Sequence, residues 1–454
     1  MALSLDELPL PDELPVIPDG WRYESLSDLV EERGVSYGIV QPGSETTDGV
    51  PIVRVNNIRN GRIDTTDMLK VGADIEAKFQ RSRLRGGEVL LTLVGTLGEV
   101  AIVPDNLRGW NVARAVGVIP VRKDPGSLWV SICLRSAFIQ HCIRTWATTT
   151  VQATFNLRDL AKLPIPIPPT ETRKAIAAVL GALDDKIELN RRMNATLEAM
   201  ARALFQSWFV DFDPVRAKLD GRPPTALDPA TAALFPESFH DSPLGSIPQG
   251  WEVCPLSEKI QLLSGGTPKT SEPTYWDGDI PWYSVRDAPS ETDVWVIHTD
   301  KHVTKLGIAN SAAQIFPEKT TIISARGTVG KLALTAVPMA INQSCYGVRG
   351  ITGYGDYFTY YSLREATTQL QQRTHGTVFD TITTETFKTL DCIFPTPKIT
   401  AAFDKRVEPL LGQIRANLHQ SRTLATLRDT LLPKLLSGEL SVAVTLASTK
   451  KRSA

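Results

Sequence analysis

The residues most able to do chemistry in this 454-residue sequence occur in three short stretches, and none of the three completes a site. The segment ARGTVGKL, at 325–332, resembles a phosphate-binding loop. Ala325 stands where that motif requires its first glycine, and Leu332 replaces the serine or threonine whose hydroxyl would hold Mg²⁺. The spacing therefore does not predict a nucleotide site.

The other two stretches could bind a metal ion only with partners that the sequence does not supply. His298 and His302 lie four residues apart, as on one face of a helix, but no third ligand lies nearby. FPEKTT (316–321) has a glutamate and a lysine of the nuclease type, without the upstream aspartate that metal-dependent cleavage requires. The sequence also contains no dinucleotide-binding glycine pattern and no NPPF- or DPPY-like stretch of adenine methyltransferases. We therefore expect this chain to have no enzymatic activity, no metal site and no cofactor.

Composition indicates a globular protein of two or three domains. Hydrophobic residues make up 42% and charged residues 22% of the chain, and no apolar run is long enough to span a bilayer. The five cysteines form no CxxC pair and the N-terminal segment is acidic, so we expect reduced thiols and a cytoplasmic location. The net charge of −1 weakly disfavours a nucleic-acid binder that acts alone, but it allows local basic patches or a partner that shares the contact.

The elements that would position a functional surface occur twice in the chain. IPDGW at 17–21 returns as IPQGW at 247–251, and four further blocks follow in the same order. Those blocks are DGVPIVRVNNI (48–58) with DGDIPWYSVRD (277–287), GEVLLTLVGTLGEVAIV (87–103) with EKTTIISARGTVGKLAL (318–334), LPIPIPP (163–169) with CIFPTPK (392–398), and segment 187–205 with segment 414–432. Asn111 matches Asn342 in this alignment. Because the separations stay between 227 and 232 residues, we infer a tandem duplication with a period near 230.

Each repeat ends in a long helix that has the seam of a coiled coil. Mostly apolar residues recur at alternating steps of four and three in both copies. The seam positions are Ile176, Leu180, Leu183, Ile187, Asn190, Asn194, Leu197, Ala201, Leu204 and Trp208 in the first copy, and Phe403, Val407, Leu410, Ile414, Asn417, Ser421, Leu424, Arg428, Leu431 and Leu435 in the second. Each helix could instead pack on its own domain, but so narrow a seam is buried best against another helix of the same kind.

We expect the two helices to pair antiparallel, because a large domain lies between them in the chain. Asn190 and Asn417 are equivalent seam positions near the helix centres. In an antiparallel pair with pseudo-twofold symmetry they would face each other and form a hydrogen bond, which would fix the register at some cost in stability.

The rest of the sequence predicts an α+β fold with two similar α/β domains joined by the helix pair. Short β-type runs such as VPIVRV and TTIISA are bounded by Gly, Pro and Asn, and helical stretches lie between them. The predicted organisation is a first domain at 1–165, a first helix at 166–210, an ordered connector at 211–244, a second domain at 245–395, a second helix at 396–440 and a disordered basic tail at 441–454.

Two such domains on a stiff spacer could read two short half-sites on one face of a DNA duplex, which advances about 34 Å per turn. Divergent copies would read different half-sites and give a split, asymmetric target. The candidate contacts are polar and basic residues between the strand-like runs: Arg54, Asn56, Asn57, Arg59, Asn60, Arg62, Arg81, Arg83 and Arg85 in the first domain, and Thr267, Lys269, Thr270, Ser284, Arg286, Asp287, Arg326, Thr328 and Lys331 in the second.

Arg81, Arg83 and Arg85 would alternate along one face of an extended segment and form a row for phosphate or guanine. For any single arginine, a solvated surface charge is the competing interpretation. The glycines of the two VGTLG and RGTVG stretches are interpreted as turn residues with positive φ.

The repeat and several motifs together resemble the specificity subunit of Type I restriction-modification systems. The motifs are the two IPxGW starts, GGTPKT (265–270) with YWDGDIPW (275–282), RGTVGK (326–331), the PIPPTETRKAIA helix entrance, LLPKLLSGEL (431–440), and DFDPVRAK and TAALFPESF in the connector. The resemblance covers nearly the whole chain.

This resemblance implies two target-recognition domains that each read half of a bipartite site in double-stranded DNA. It implies that the helices set the gap between the half-sites and bind two methyltransferase subunits, which flip and methylate adenine with S-adenosylmethionine. Restriction subunits that use ATP and Mg²⁺ would join the complex, and this chain would be its non-catalytic specificity subunit. The alternatives are a coiled-coil scaffold that does not bind DNA, and the DNA-binding part of a fused restriction-modification enzyme.

Overall fold

The structure is a computed structural model that describes residues 14–59, 61–149, 153–351, 353–373 and 381–442. Contacts divide the chain into two compact units, one formed by residues 1–185 with 424–454 and the other by residues 186–423. Asn60 and most of the predicted basic tail lie outside the described residues, as do the first 13 residues of the predicted first domain. In the described part, no helix combines the length and the apolar character needed to cross a membrane.

The first unit consists of short strands, a few helices and parts of the two long helices. Its strands are β1 (Arg22–Ser25), β2 (Ser36–Tyr37), β3 (Val50–Val53), β4 (Ile58–Arg59), β5 (Arg62–Ile63), β6 (Leu69–Val71), β7 (Val89–Thr92), β8 (Val100–Ile102), β9 (Asn111–Val112), β10 (Val116–Ile119), β11 (Thr148–Thr149), β12 (Ala153–Thr154) and β13 (Pro164–Ile167). Its helices are α1 (Ala73–Glu76), α2 (Ser127–Leu134), α3 (Ala137–Trp146), α4 (Leu157–Lys162) and the start of α5 (Thr170–Phe209), with 3₁₀ helices at Leu26–Leu29, Val55–Asn57, Ala77–Ser82 and Asp105–Leu107.

The strands of the first unit form one four-stranded sheet, one three-stranded sheet and three strand pairs. The larger sheet has the order β2-β10-β7-β8, and the smaller has the order β6-β3-β9. Every residue of β7 and β10 is buried. Their sequences, VLLT and VGVI, lack the polar alternation of a strand with one solvated face, which agrees with central strands covered on both sides.

The second unit repeats this pattern and also contains the connector. Its strands are β14 (Phe239–Ser242), β15 (Gly245–Pro248), β16 (Glu252–Pro255), β17 (Ile260–Ser264), β18 (Trp276–Tyr283), β19 (Trp295–Val296), β20 (Lys301–Val303), β21 (Ile315–Phe316), β22 (Thr321–Ser324), β23 (Leu332–Thr335), β24 (Met339–Ile341), β25 (Cys345–Gly350) and β26 (Asp391–Phe394). Its helices are α6 (Asp213–Leu219), α7 (Pro229–Ala232), α8 (Lys305–Ala309), α9 (Asp356–Arg373), α10 (Thr384–Thr389) and most of α11 (Pro397–Leu436), with 3₁₀ helices at Leu256–Glu258, Pro273–Tyr275 and Val285–Asp287.

Strand pairing shows that the two units are copies of one fold. In the second unit β25 lies between β17 and β22, as β10 lies between β2 and β7 in the first. The parallel pair β18–β24 likewise corresponds to β3–β9. Ile52 pairs with Asn111 and Trp282 pairs with Ala340, so the counterpart of Asn111 is Ala340. The predicted match of Asn111 with Asn342 was therefore wrong by two residues, because the local separation of the repeats is shorter here than the sequence blocks suggested.

The connector is ordered and anchored in the core of the second unit by its aromatic residues. Phe212 and Phe235 are buried there, and the Phe212 ring lies edge-on to the Trp251 ring at 5.6 Å between centroids. Trp251 belongs to the second IPxGW motif. That tryptophan is therefore a core residue that holds the connector in place.

The two long helices pair antiparallel in the second unit, which confirms the predicted fold class. There the Asn194 and Asn417 side chains are hydrogen-bonded and the Trp208 and Phe403 rings lie 6.0 Å apart. A rising residue number on α5 thus meets a falling number on α11. In the first unit the two helices are also in contact, since Arg428 of α11 donates to Asp184 of α5 at 2.7 Å.

The seam in the second unit contains a polar layer formed by Asn190, Asn194, Asn417 and Ser421. The Asn190 amide donates to the Ser421 hydroxyl at 3.2 Å and to the main-chain carbonyl of Asn417 at 3.4 Å. The Asn417 amide donates to Asn194 Oδ1 at 2.9 Å. Asn190 and Asn417 thus approach each other as expected, but their side chains take different partners. The register differs from the expected one by four residues, since Asn190 faces Ser421.

Candidate nucleic-acid interface

In the second unit, four loops meet at one edge of the sheets because strand ends converge there. Gly266 N–H donates to the Ile341 carbonyl at 2.9 Å, and Asn342 N–H donates to the Tyr283 carbonyl at 2.9 Å. Ala325 N–H donates to the Ser344 carbonyl at 2.8 Å. We call the loops 265–270, 284–287, 325–331 and 342–344 the edge loops of the second unit.

The first unit has the same arrangement. Ile39 N–H donates to the Val112 carbonyl at 2.7 Å, and Ala113 N–H donates to the Val53 carbonyl at 2.9 Å. Leu93 N–H donates to the Ala115 carbonyl at 2.8 Å. The loops 38–43, 54–57, 93–98 and 113–115 are therefore the edge loops of the first unit.

A glycine at the same place in each copy allows the first of these loops to cross its neighbour. A Cβ added to Gly38 would lie 1.9 Å from the Val112 carbonyl oxygen, and one added to Gly265 would lie 2.0 Å from the Asn342 carbonyl oxygen. No side chain fits at either place, so glycine is required by close backbone approach.

Two predicted contact positions in each unit instead form the loop itself. In the first unit the N–H of Arg54 donates to Asn57 Oδ1 at 2.9 Å, and in the second the N–H of Ser284 donates to Asp287 Oδ2 at 2.7 Å. Both are capping arrangements around a 3₁₀ turn. Asn57 is also buried, and its amide donates to the Asp67 carbonyl at 2.9 Å. The side chains of Asn57 and Asp287 therefore hold the turn.

Two residues lie between the capping residues, and the second of them is exposed in both copies. Asn56 occupies this position in the first unit and Arg286 occupies it in the second. Arg59 is also exposed, whereas the Arg54 guanidinium donates to Asp67 Oδ2 at 3.0 Å and Arg62 is partly buried. Asn56, Arg59 and Arg286 are thus better placed than their neighbours to reach a ligand.

The predicted arginine row does not form, because its segment is not extended. Residues Ala77–Ser82 form a 3₁₀ helix that includes Arg81, whose Nε donates to the Arg33 carbonyl at 2.7 Å. Arg83 points to the protein and binds both carboxylate oxygens of the buried Glu76, with Nε to Oε1 at 2.7 Å. The hydrogen bond from Arg83 lowers the pKa of Glu76 below its ordinary value, against the opposing effect of burial. In this row Arg85 alone has an exposed side chain without such a partner among the described residues.

The RGTVGK stretch of the second unit is a hairpin loop between β22 and β23. Gly327 and Gly330 have φ of 82° and 84°, and Gly95 and Gly98 have φ of 77° and 86° at the matching turn. These values are the left-handed region that favours glycine, in agreement with their interpretation as turn residues. Because the loop leads into a strand rather than a helix, it lacks the helix N-terminus that a phosphate-binding loop uses.

This hairpin presents two of the predicted cations. Arg326 and Lys331 are exposed, and Thr328 accepts a hydrogen bond from Ser324 through its main-chain carbonyl. In the neighbouring loop, the Thr267 hydroxyl donates to the Gln343 side chain, and Lys269 and Thr270 are exposed. The structure thus brings the predicted residues of the second domain into one group of loops.

Sequence reasoning missed one loop in each unit. Arg114 follows Ala113, whose N–H donates to the last residue of β3, and Gln343 follows Asn342, whose N–H donates to the last residue of β18. Both Arg114 and Gln343 are exposed. Their signal was a polar residue two positions after a short buried strand. That position became recognisable only when β9 and β24 had been paired with β3 and β18.

The described residues do not form a metal centre. They include no group of three or more His, Cys, Asp or Glu side chains that could hold an ion. His302 lies in strand β20 and His298 precedes that strand, so the two do not share a helix face.

Comparison with known proteins finds one family model in both repeats. A family model described as "Type I restriction modification DNA specificity domain" matches residues 18–199 and again residues 248–407. The HindI specificity subunit of Haemophilus influenzae is 30% identical over 330 residues, which cover 64% of this chain and 71% of that protein. The EcoBI specificity subunit of Escherichia coli is 31% identical over 199 residues, which cover 41% of this chain and 42% of that protein.

Two further similarities extend over almost the entire chain. The putative MjaX specificity subunit of Methanocaldococcus jannaschii is 21% identical over 442 residues, covering 95% of this chain and 96% of that protein. The crystal structure of a Type I restriction-modification S subunit from M. genitalium aligns with a TM-score of 0.48 and 17% identity, covering 92% of this chain and 96% of that one.

Proposed function

This chain belongs to the Type I restriction modification DNA specificity family, and we propose that it reads a bipartite, asymmetric site in double-stranded DNA. As a specificity subunit it is non-catalytic and serves DNA recognition. In this proposal each unit supplies one target-recognition domain, and the edge loops of each unit contact one half-site.

The observation that carries the proposal is that both units have the same arrangement of edge loops but present different side chains on them. Arg54 corresponds to Ser284 at the start of the capped turn, and Asn56 corresponds to Arg286 at its exposed middle. The position after the parallel strand pair is Arg114 in one unit and Gln343 in the other. Arginine favours guanine, whereas asparagine and glutamine favour adenine. Two equivalent sets of edge loops that present different hydrogen-bonding groups suit two different half-sites.

The charge at these edges supports contact with the DNA backbone. The exposed cations on or beside the edge loops include Arg59 and Arg114 in the first unit and Lys269, Arg286, Arg326 and Lys331 in the second. The whole chain nevertheless has 49 basic and 50 acidic residues, so its long-range attraction to a polyanion is weak. We propose that methyltransferase subunits supply much of the electrostatic attraction.

The same proposal assigns the partners and their cofactors. Two methyltransferase subunits would bind along the paired helices and use S-adenosylmethionine, and restriction subunits would use ATP with Mg²⁺. The helix pair would set the gap between the half-sites. These activities belong to the partner subunits, and this chain would decide where on the DNA they act.

Methylome sequencing tests the proposal. The chain and its methyltransferase partner would be expressed in a host without adenine methylation, with the partner alone as control. We expect a split adenine-methylated motif with a fixed gap that depends on this chain. A continuous motif, or no motif, would contradict the proposal, and the second result would favour a scaffold.

Exchange of one domain separates the two half-sites. Replacing the second recognition domain by that of a relative should change one half of the motif and leave the other half unchanged. Deleting one heptad from each long helix should alter the gap while preserving both halves. A motif that changes in both halves after a single-domain exchange would contradict independent reading.

A further inference from the structure

The structure places an arginine at the same position of both repeats, where it joins the recognition domain to the long helix α5. Arg135 follows α2 and Arg364 lies in α9, each eight residues after the first residue of its helix. Both arginines follow a leucine and stand two residues before an alanine, in LRSA and LREA. The strand before each helix, β10 or β25, is also equivalent.

In the second unit, Arg364 reaches a carboxylate that is almost completely buried. Its Nη1 donates to Glu198 Oε1 at 2.6 Å, and the Glu198 side chain is 2% exposed. Arg202, one turn further along α5, approaches the other oxygen of Glu198 at 3.9 Å. Arg364 also donates to Glu291 at 3.3 Å, in the loop before β19. One guanidinium therefore ties a domain helix, a domain loop and α5 together.

The first unit has the same combination of charges. Arg135 Nη1 lies 2.9 Å from Asp184 Oδ2, and Arg428 Nη1 lies 2.7 Å from Asp184 Oδ1. Asp184 belongs to α5 and Arg428 to α11, so this cluster joins the domain to both long helices within the unit. All three side chains are more than two thirds buried. Each unit thus has one carboxylate on α5 between two arginines.

We propose that Arg135 and Arg364 are positioning residues that fix the orientation of each recognition domain on the long helices. This inference rests on the proposed function, because the orientation of each domain would then determine which gap between half-sites the protein accepts. A partly buried guanidinium with two charged partners resists rotation about the contact more strongly than apolar packing does, since its hydrogen bonds require a defined geometry.

The test uses the complete complex of this chain with its methyltransferase partner. Affinity would be measured for three duplexes that carry the split motif from the methylome, with the natural gap and with one base pair fewer or more. Each half-site would also be measured alone. The variants are Glu198→Gln with Arg364→Gln, and Asp184→Asn with Arg135→Gln, so that neither leaves an unpaired buried charge at the tested pair.

We expect each double variant to keep its affinity for single half-sites within about twofold and to lose discrimination between gaps by roughly fivefold or more, the size of one strong side-chain coupling. Arg364→Lys should restore part of the discrimination, because it retains the charge for Glu198. The matched control is Arg33→Gln with Glu88→Gln, a buried pair at 2.6 Å whose further hydrogen-bond partners, among them Arg83 and Arg85, lie in the first domain and not on the long helices. The control should discriminate as the wild type does.

Three outcomes overturn the inference. Unchanged discrimination in both double variants would show that other contacts set the orientation. An equal loss of affinity for all duplexes and for single half-sites would show a role in folding alone, and an equal loss of discrimination in the control would show that the effect is not specific. If the wild-type complex binds a continuous motif, the proposed function fails as well, which distinguishes that failure from the other three.

Discussion

The side-chain amide of Asn417 donates a hydrogen bond to Asn194 Oδ1 at 2.9 Å, from one long helix to the other within the second unit. Asn417 is the repeat counterpart of Asn190, and Ser421 is the counterpart of Asn194, because the helix blocks are 227 residues apart. The repeat therefore makes the facing pair Asn190–Ser421 equivalent to the facing pair Asn417–Asn194. The local pseudo-twofold axis passes between these two pairs, in the middle of the polar layer.

Replacing Asn194 by leucine should destabilise the protein by about 1–3 kcal/mol. The substitution leaves the buried Asn417 amide without its acceptor, and an unsatisfied buried donor costs more than the lost hydrogen bond itself. The measurement is denaturant unfolding followed by circular dichroism. Thr196→Leu, at an exposed position of the same helix, is the control and should change the midpoint little. Equal midpoints for both variants would show that the layer contributes no net stability.

Arg83→Ala should lower the stability of the protein, and its effect should not be limited to DNA binding. It leaves Glu76 buried with only the Asn111 amide as partner, at 3.0 Å. Breaking a pair of this kind costs about 1–3 kcal/mol. Thermal unfolding of Arg83→Ala and of the exposed neighbour variant Arg85→Ala measures the difference. An unfolding temperature for Arg83→Ala equal to that of the wild type would mean that Glu76 finds another partner.

Arg286→Ala and Arg326→Ala should weaken DNA binding by the assembled complex while leaving its unfolding temperature unchanged. Both side chains are exposed on the edge loops. If either arginine contacts a phosphate, the slope of log affinity against log salt should fall by about 0.9. If it contacts a base, selectivity at one position should fall by about 1–3 kcal/mol.

Arg222→Ala provides the charge-matched control for these two variants, because Arg222 is an exposed cation of the connector rather than of an edge loop or a long helix. Titrations of all three variants at several salt concentrations separate general charge from local contact. Affinity, salt slope and selectivity that match Arg222→Ala would remove either arginine from the contact surface.

Asp404 should make the stability of the second unit depend on pH. Burial raises the pKa of Asp404 from its ordinary 3.8 to about 7, although it accepts N–H groups of Phe358 and Tyr357 at 2.8 and 3.3 Å. The neighbouring Asp356 raises this pKa further and Lys319, which bonds to Glu408, lowers it.

The direction of the pH dependence follows from the pKa of Asp404, which is higher in the folded state than its ordinary value. The protonated carboxyl stabilises the fold fully below pH 3.8, and this contribution disappears as pH rises to about 7. Asparagine cannot ionise, so the unfolding free energy of Asp404→Asn should decrease less than that of the wild type between pH 4 and 7. The two decreases should differ by up to about 4 kcal/mol. Urea unfolding at a series of pH values measures the two curves. Parallel curves would contradict a raised pKa at this residue.

The repeat, the long helices and the family were readable from residue order. Coiled-coil spacing is local, so alternating steps of four and three identify α5 and α11 without a structure. The block order predicted two copies of one α+β domain, and the strand order β2-β10-β7 with β17-β25-β22 confirms it. The ordered connector was equally predictable, because its aromatic residues needed a core.

Which arginines face solvent was decided only by tertiary structure. Residues Arg81, Arg83 and Arg85 look equivalent in the sequence, but Glu76 comes from a preceding helix and captures Arg83 alone. The match of Asn111 to Ala340 likewise required the strand pairing, since short strands carry too little pattern to fix an alignment within two residues.

Two similar modules and two long helices are predictable from residue order, because block repetition and heptad spacing are both properties of the linear sequence. The helix register, which places Asn190 opposite Ser421, and the convergence of four loops at each sheet edge appear only in the folded chain. Those features depend on contacts between residues distant in the chain, such as the Trp208 ring against Phe403, and no local pattern encodes such contacts.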